Sequence, residues 1–335
     1  MRVLFVIDPL GTLNLATETS LLLMEEMARR GHVTTMATLA DLYLTEHGAG
    51  VTARTIRLDM TQQPFYQLGT PVDCRFREFD LVLMRKDPPV DADYLAATFV
   101  LERAAAEVVV VNDPVGLRTV NEKLLPLRFS EFVPPTIISN DVERLTTFAA
   151  AHERVVLKPL EDCSGRGIRF VDGPKAKAGV AAYLADQPGR FVMAQQFLPG
   201  VAAGDKRIFL LNGEPIGAVN RIPRGPDQLA NIHQGAAVQE TVITARERAI
   251  IAAIKPLLLA QHLWMAGIDV IDGHLTEINV TSPSAARQIN AVSGTRIEVA
   301  IVDFLERLAG AALRPTARDS GCLTGREKSR LAGVL

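Results

Sequence analysis

The sequence predicts an α/β protein in two parts, an open unit on a parallel sheet and then a unit built on hairpins. Three observations predict it. Short apolar β-type runs alternate with helical stretches through the first third of the chain, and the runs end at turn residues, as buried parallel strands do. That alternation ends near Leu125. Beyond it stand Asn212-Gly213 and Asp272-Gly273, dipeptides that mark tight turns between antiparallel strands.

In order, Val3–Ile7 reads as a buried strand stopped at Asp8-Pro9. Thr19–Arg30 reads as a helix, with apolar Leu22, Leu23 and Met27, basic Arg29 and Arg30 in the last turn, and Gly31 as its stop. Val33–Ala37 and Leu81–Met84 follow as strands, then Asp93–Ala106 as a helix and Val108–Val111 as a strand closed by Asn112-Asp113-Pro114. In open sheets of this kind ligands sit beyond the carboxyl ends of strands, where Asp8, Arg85 and Asn112 fall. After Pro134-Pro135 come a helix (Val142–His152), a strand (Val155–Lys158), a glycine-containing loop through Gly167, and β-type runs at Ile168–Val171 and Arg190–Leu198. Lys206–Leu211 and Glu214–Val219 form a hairpin about Asn212-Gly213. Arg221–Gly235 lacks periodicity and is long for a connection, as lids are. Thr244–His262 and Val299–Leu308 are helical, and the tail from about Arg314 is expected to be mobile.

Composition excludes several classes. A chain of 335 residues has room for two or three domains, and its net charge of −2 offers nothing to nucleic acid or an anionic membrane. The opening M-R-V-L-F-V-I-D-P is too short for a signal peptide, and Ile250–Trp264 is interrupted by Lys255, Pro256, Gln261 and His262, so no span is expected. Cys74, Cys163 and Cys322 have no metal-ligand spacing, which suits a reduced cytoplasmic protein.

The chemistry centres on Ile268–Pro283, I-D-V-I-D-G-H-L-T-E-I-N-V-T-S-P. Glu277 and Asn279 are two apart on a strand and share a face. A two-residue loop at Asp272-Gly273 pairs Asp269 with Thr276; a three-residue loop, Asp272-Gly273-His274, pairs it with Glu277. The second is expected, because it gathers two carboxylates and an amide oxygen, a ligand set for a hard divalent cation beside nucleotide phosphates. Lys123, Lys158 and Arg207 are cations able to meet phosphate oxygens. The loop Glu161–Gly167 lies between two strands, not before a helix. It therefore differs from the dinucleotide fingerprint and suits a flap whose backbone N–H groups close over phosphates.

These parts, in this order, resemble the ATP-grasp ligases, and within them the prokaryotic glutathione synthetase family. The resemblance runs from Met1 to about Leu308 through I-D-P (Ile7–Pro9), M-R-K-D-P-P (Met84–Pro89), N-E-K-L (Asn121–Leu124), L-K-P-L (Leu157–Leu160), G-D-K-R (Gly204–Arg207), R-I-P (Arg221–Pro223) and T-E-I-N-V-T-S-P (Thr276–Pro283). It implies an N-terminal substrate-binding domain over residues 1–122 and an ATP-grasp domain with mostly antiparallel sheets over 123–310, divided near 195. The implied activity is an ATP-dependent ligase that makes an acylphosphate from a carboxylate and an amide from an amine, with γ-glutamylcysteine and glycine as the leading pair. A ligase for another acid and amine, or a nucleotide-binding protein without turnover, stand as alternatives. The resemblance assigns ATP to Lys123, Lys158, Ser164, Gly165, Gly167, Gln195, Gln196, Phe197, Leu198, Asp205 and Arg207. It assigns magnesium, with manganese as a substitute, to Asp269, Glu277 and Asn279. Catalysis falls to Arg207 and Arg221, and substrate to Asp8, Ser20, Arg85, Arg221, Asn231 and Ser282. It also implies a cytoplasmic homo-oligomer, dimer or tetramer, acting on small molecules.

The chain departs from the family at two segments that close over substrate. Leu229 stands where an arginine is expected before Asn231, and Gly235-Ala236 replaces a glycine pair. Glu161-Asp162-Cys163 stands where an acidic residue is usually followed by glycine. Leu229→Arg is accordingly expected to raise glutathione formation.

Overall fold

The structure, a computed structural model, describes residues 1–162, 165–224 and 236–312. Cys163, Ser164, Leu229, Asn231, Gly235, Cys322 and the tail from Arg314 lie outside the described residues.

The first part comprises β1 (Arg2–Val6), α1 (Thr19–Arg29), β2 (Val33–Ala37), β3 (Leu42–Thr45), β4 (Gly48–Leu58), β5 (Tyr66–Leu68), β6 (Val72–Arg75), β7 (Leu81–Met84), α2 (Ala92–Ala104), β8 (Val109–Val111) and α3 (Pro114–Thr119). Its sheet runs β3-β4-β2-β1-β7-β8, with β5 and β6 on β4. The segment β2-β1-β7-β8 is parallel, as the apolar runs predict. The strands β3–β6 form an antiparallel flank that the sequence reading did not anticipate. The reason is visible in their burial: β3 and β6 are mostly surface, so they carry no continuous apolar run, whereas β7 is buried throughout.

The second part holds β9 (Thr136–Ser139), α4 (Val142–Ala150), β10 (Arg154–Pro159), β11 (Arg169–Asp172), α5 (Ala176–Ala185) and β12 (Val192–Gln196), with antiparallel order β11-β10-β12-β9. Helix α5, A-K-A-G-V-A-A-Y-L-A, has no clear polar face and gave no signal of its own. The third part holds β13 (Asp205–Leu211), β14 (Glu214–Ile222), β15 (Ala237–Gln239), α6 (Ala245–Ala260), β16 (Met265–Ile271), β17 (His274–Asn279), α7 (Ala286–Ser293) and α8 (Ile297–Ala312), with antiparallel order β15-β14-β13-β16-β17.

The core explains where a cleft can lie. Leu4, Val6, Val82 and Met84 of the first sheet share one apolar cluster with Ile208, Leu210, Ile268 and Ile278 of the third. Phe5, Leu81 and Leu83 share another with Phe209, Trp264 and Phe304. The middle sheet keeps its own cluster around Leu145, Val155, Leu157 and Val180. First and third sheets are therefore one packed body, and the middle sheet sits on it as a separately cored unit. Asn112 pins the body together: its amide donates to the carbonyls of Met265 and Val280, both at 2.7 Å, and accepts from Met265 N–H at 2.9 Å.

Candidate active site

The acidic hairpin pairs Asp269 with Glu277, as expected, but by a different device. The turn is the two-residue one, since Ile271 faces His274, with Asp272 at φ 51° and Gly273 at φ 72°. The register then shifts between Asp269 and Val270, leaving Thr276 as an extra residue on β17. That bulge, not a longer loop, returns Glu277 to the face of Asp269. Thr276 is held there by its hydroxyl, which donates to the Asp269 carbonyl at 3.1 Å.

Cross-strand register places the neighbours. Arg207 on β13 faces Asp269 on β16, and Asp205 faces Arg221 on β14. Asp205 and Arg207 are two apart and so share a face. The Arg207 guanidinium grips Asp269 with two bonds, Nε to Oδ1 at 2.5 Å and Nη2 to Oδ2 at 2.9 Å. Arg221 Nη2 lies 2.9 Å from Asp269 Oδ1 and 2.6 Å from Asp205 Oδ2. Gly267 makes room beside them: a Cβ there would stand 3.2 Å from Arg207 Cδ. Burial alone would raise the Asp269 carboxyl, but Arg207 and Arg221 outweigh it and hold it below the usual range. Burial pushes Asp205 up to about 6 against the pull of Arg221.

One cavity is lined by this cluster and by both lysines. Lys123 Nζ lies 3.5 Å from Glu277 Oε1 and donates to the Asp162 carbonyl at the base of the flap. Lys158 Nζ donates to Gln195 Oε1 at 3.0 Å, and burial pulls its pKa down. Around the acidic hairpin, Asp205, Asp269 and Glu277 meet Lys123, Lys158, Arg207 and Arg221, a local excess of positive charge that suits bound phosphate, although over the whole lining acids outnumber bases. Val156, Ile168, Phe170 and Val201 line it beside Gln196, Phe197 and Leu198, giving apolar walls and backbone groups of the kind that hold a flat heterocycle. Phe170 and Phe197 meet edge-on at 5.7 Å. Gly165 and Gly167 take φ of 77° and 68°, conformations that favour glycine in a flap.

Asp269, Glu277 and Asn279 all line this cavity. Among the described residues no group of three or more His, Cys, Asp or Glu is arranged for a metal. The set present is two carboxylates and an amide. Asn279 donates through Nδ2 to Asp269 Oδ2 at 3.2 Å, which leaves its own Oδ1 as an acceptor; with the three guanidinium contacts this fills the acceptor sites of Asp269, so a cation there would displace one of these donors. This donor set fits a hard cation that takes its remaining ligands from phosphates.

The expected substrate residues divide. Ser282 lines the cavity and bonds to the Asp87 carboxyl. Asp8, Ser20 and Arg85 are not among the lining residues. Asp8 is occupied by Lys86 at 3.0 Å and by Asp87 N–H at 2.9 Å. Arg85 is buried; its Nε donates to Ser20 Oγ at 3.1 Å and its Nη2 to the Pro283 carbonyl at 3.0 Å, bracing the segment after β17, while its Nη1 is buried with no partner. Asn231 and Ser164 lie outside the described residues.

Glu122 went unread in the sequence. Its Oε1 accepts from Val280 N–H at 2.7 Å and from Thr281 N–H and hydroxyl, both at 2.9 Å. The N-E-K-L segment thereby holds the end of β17. Glu122→Ala is expected to cost about 1–3 kcal/mol, because two backbone donors lose their acceptor. The urea midpoint checks it, and an unchanged midpoint would show that solvent satisfies them.

Comparison with known proteins agrees with the geometry. Residues 1–118 match the family described as prokaryotic glutathione synthetase, N-terminal domain, and residues 122–294 match its ATP-grasp domain. The chain is 39% identical over 318 residues to a glutathione synthetase of Synechocystis sp., covering 92% of this chain and 99% of that one. It is 42% identical over 298 residues to one from Prochlorococcus marinus, covering 88% and 95%. In fold it is similar to the D-cycloserine synthetase DcsG, with TM-score 0.64 and 16% identity over 91% of this chain and all of that one. It is also similar to the ATP-grasp ligase PsnB, with TM-score 0.60 and 18% identity over 91% and 99%. It is an ATP-dependent ligase that forms carbon–nitrogen bonds, of a kind that works with a divalent cation. No helix among the described residues is long and apolar enough to cross a membrane. The chain belongs to the prokaryotic glutathione synthetase family of ATP-grasp ligases.

Proposed function

We propose that the chain joins γ-glutamylcysteine to glycine at the expense of ATP, with magnesium as the cation and the work divided as follows. Residues 1–122 present substrate, and 123–195 and 196–310 close on the nucleotide. The single observation that carries this reading is the face shared by Asp269, Glu277 and Asn279, set against Arg207, Arg221, Lys123 and Lys158 in one cavity. Such a site suits a phosphoryl group in flight, whose negative charge spreads over three oxygens.

The cysteinyl carboxylate takes the terminal phosphoryl group and ADP leaves; the glycine amine then attacks the acyl carbon and phosphate leaves. Lys123 and Lys158 bind phosphate oxygens. Arg207 and Arg221, fixed by Asp269 and Asp205, offer their remaining N–H groups to the charge that develops. Gln196–Leu198 hold the base. Asp269, Glu277 and Asn279 would hold magnesium, which supplies charge neutralisation to the phosphates when bound. The flap from Glu161 to Gly167 keeps water from the acylphosphate.

Incubation with ATP, magnesium, γ-glutamylcysteine and glycine is expected to yield glutathione and ADP in equal amounts, read by mass spectrometry and coupled ADP assay. No glutathione above background would overturn the pairing and favour a second reading, a ligase for another acid and amine. The lid departures at Leu229 and Ala236 favour that reading. We place the protein in the cytoplasm as a homo-oligomer, and light scattering in solution tests the latter.

A further inference from the structure

The cavity also carries a second group of lining residues, apart from the acidic hairpin and the lysines. These are Thr17 and Glu18 ahead of α1, Asp87 after β7, Ser282 and Ser284 after β17, and Gln288 on α7. The chain brings these together from both halves of the packed body. Glu18 Oε1 caps α1 by accepting from Ser20 N–H at 2.7 Å, which leaves its other oxygen. Asp87 is held by Ser282, and its carboxyl is pushed up to about 6 by burial and then by the neighbouring Glu18. Arg85 and the Lys86–Asp8 pair flank Asp87; Arg85 donates to Ser20 and Pro283, its Nη1 is buried with no partner, and its charge acts on Asp87. Arg166, which reaches the Pro88 carbonyl at 3.1 Å, is paired with Asp162, also at 3.1 Å.

An independent observation comes from Gln288. It is 9% exposed, and its Nε2 donates to the Ala16 carbonyl at 3.0 Å. Its Oε1 is buried with no donor. A buried amide oxygen facing no donor is a position that a ligand N–H would fill. This group therefore offers two carboxylates and one unmatched carbonyl oxygen. A primary ammonium carries one charge and three N–H donors.

We propose that Glu18, Asp87 and Gln288 form a subsite for a primary ammonium group of substrate. The proposal rests on the ligase reading above, under which two ammonium groups are candidates: the α-ammonium of the γ-glutamyl donor and the amine of the glycine acceptor. Either would bring positive charge between Glu18 and Asp87 and a donor to Gln288 Oε1.

Isothermal titration of the full chain, with ADP and magnesium present, tests it. The ligands are two matched pairs: γ-glutamylcysteine against glutarylcysteine, and glycine against glycolate. In each pair only the ammonium is lost or replaced. Wild type is expected to prefer the ammonium member of one pair at least tenfold. Preference in the first pair assigns the subsite to the donor; preference in the second assigns it to the acceptor. In Asp87→Asn the preference is expected to fall to within twofold, and in Gln288→Leu by at least threefold, with ADP affinity unchanged in both. Should Asp87→Asn fail to fold, Gln288→Leu decides alone. Equal affinities within both pairs for wild type, or a preference kept by the variants, would overturn the subsite. Glutathione formation by wild type is measured in parallel. Its absence with the ammonium preference intact removes the assigned reaction and leaves the subsite standing.

Discussion

Glu277→Gln is expected to lower turnover about a thousandfold, roughly 4 kcal/mol of transition-state stabilisation, while leaving the fold intact. The two halves of that statement come from different observations. Glu277 lines the cavity beside Asp269 and Asn279, so it is placed to supply a charged oxygen to a cation at the phosphates. A glutamine of the same size keeps an oxygen but loses the charge, and the cation then binds weakly where charge must be neutralised. For stability, Glu277 does little. Its side chain is 23% exposed and its ion-pair partner, Lys123, stands at 3.5 Å. Substitutions at such positions stay within about 0.5 kcal/mol. Coupled ADP release and a thermal melt, run on the same preparation, check both halves. Turnover within a few fold of wild type would remove Glu277 from the metal set, and a large drop in melting temperature would make it a structural residue.

How much of this was legible beforehand varies with the range of the interaction. The parallel strands announced themselves because each is buried on both faces and reads as an apolar run; the β3–β6 flank is half-exposed and carries no such pattern. Within the acidic hairpin, Asp272-Gly273 marked the turn. The pairing of Asp269 with Glu277 was anticipated, but through a three-residue loop. The actual device, a bulge at Thr276, has no local sequence mark, because threonine fits a regular strand equally well. Motif resemblance pointed to Arg207, Arg221, Lys123 and Lys158 as a set. It did not reveal that Asp269 is shared by two guanidiniums, since Arg207 reaches it across sixty-two residues of chain. Arg85 looked like a substrate ligand from its place after a strand; it donates to Ser20 and Pro283 and keeps a buried Nη1 without a partner. Glu122, Asp87 and Gln288 gave no signal, because their partners come from segments far away in sequence.

Asp269→Ala is expected to behave differently from Glu277→Gln, losing activity and stability together. Asp269 is 4% exposed and answers the charge of Arg207 through two bonds and of Arg221 through a third contact. Removing it leaves two buried guanidiniums with only Asp205 between them, and breaking a buried ionic cluster by deleting one member costs about 3–5 kcal/mol. The sign with pH separates this from a packing defect. The native carboxyl of Asp269 lies below the unfolded value, so its ionised form stabilises the fold at every pH above the unfolded carboxylate range. That contribution is lost only as pH falls through the depressed native value. Asp205 works in the opposite sense: its native value of about 6 is raised, so its effect on stability declines as pH climbs from the unfolded value through 6. The gap between wild type and Asp269→Ala, measured by urea unfolding, is therefore expected to be wide near neutrality and to narrow in strong acid, where the missing carboxylate would have been protonated. A gap that stayed constant down to the acid limit would mean that the alanine left a void, and that the Asp269 charge was not what held Arg207 and Arg221 in the cavity.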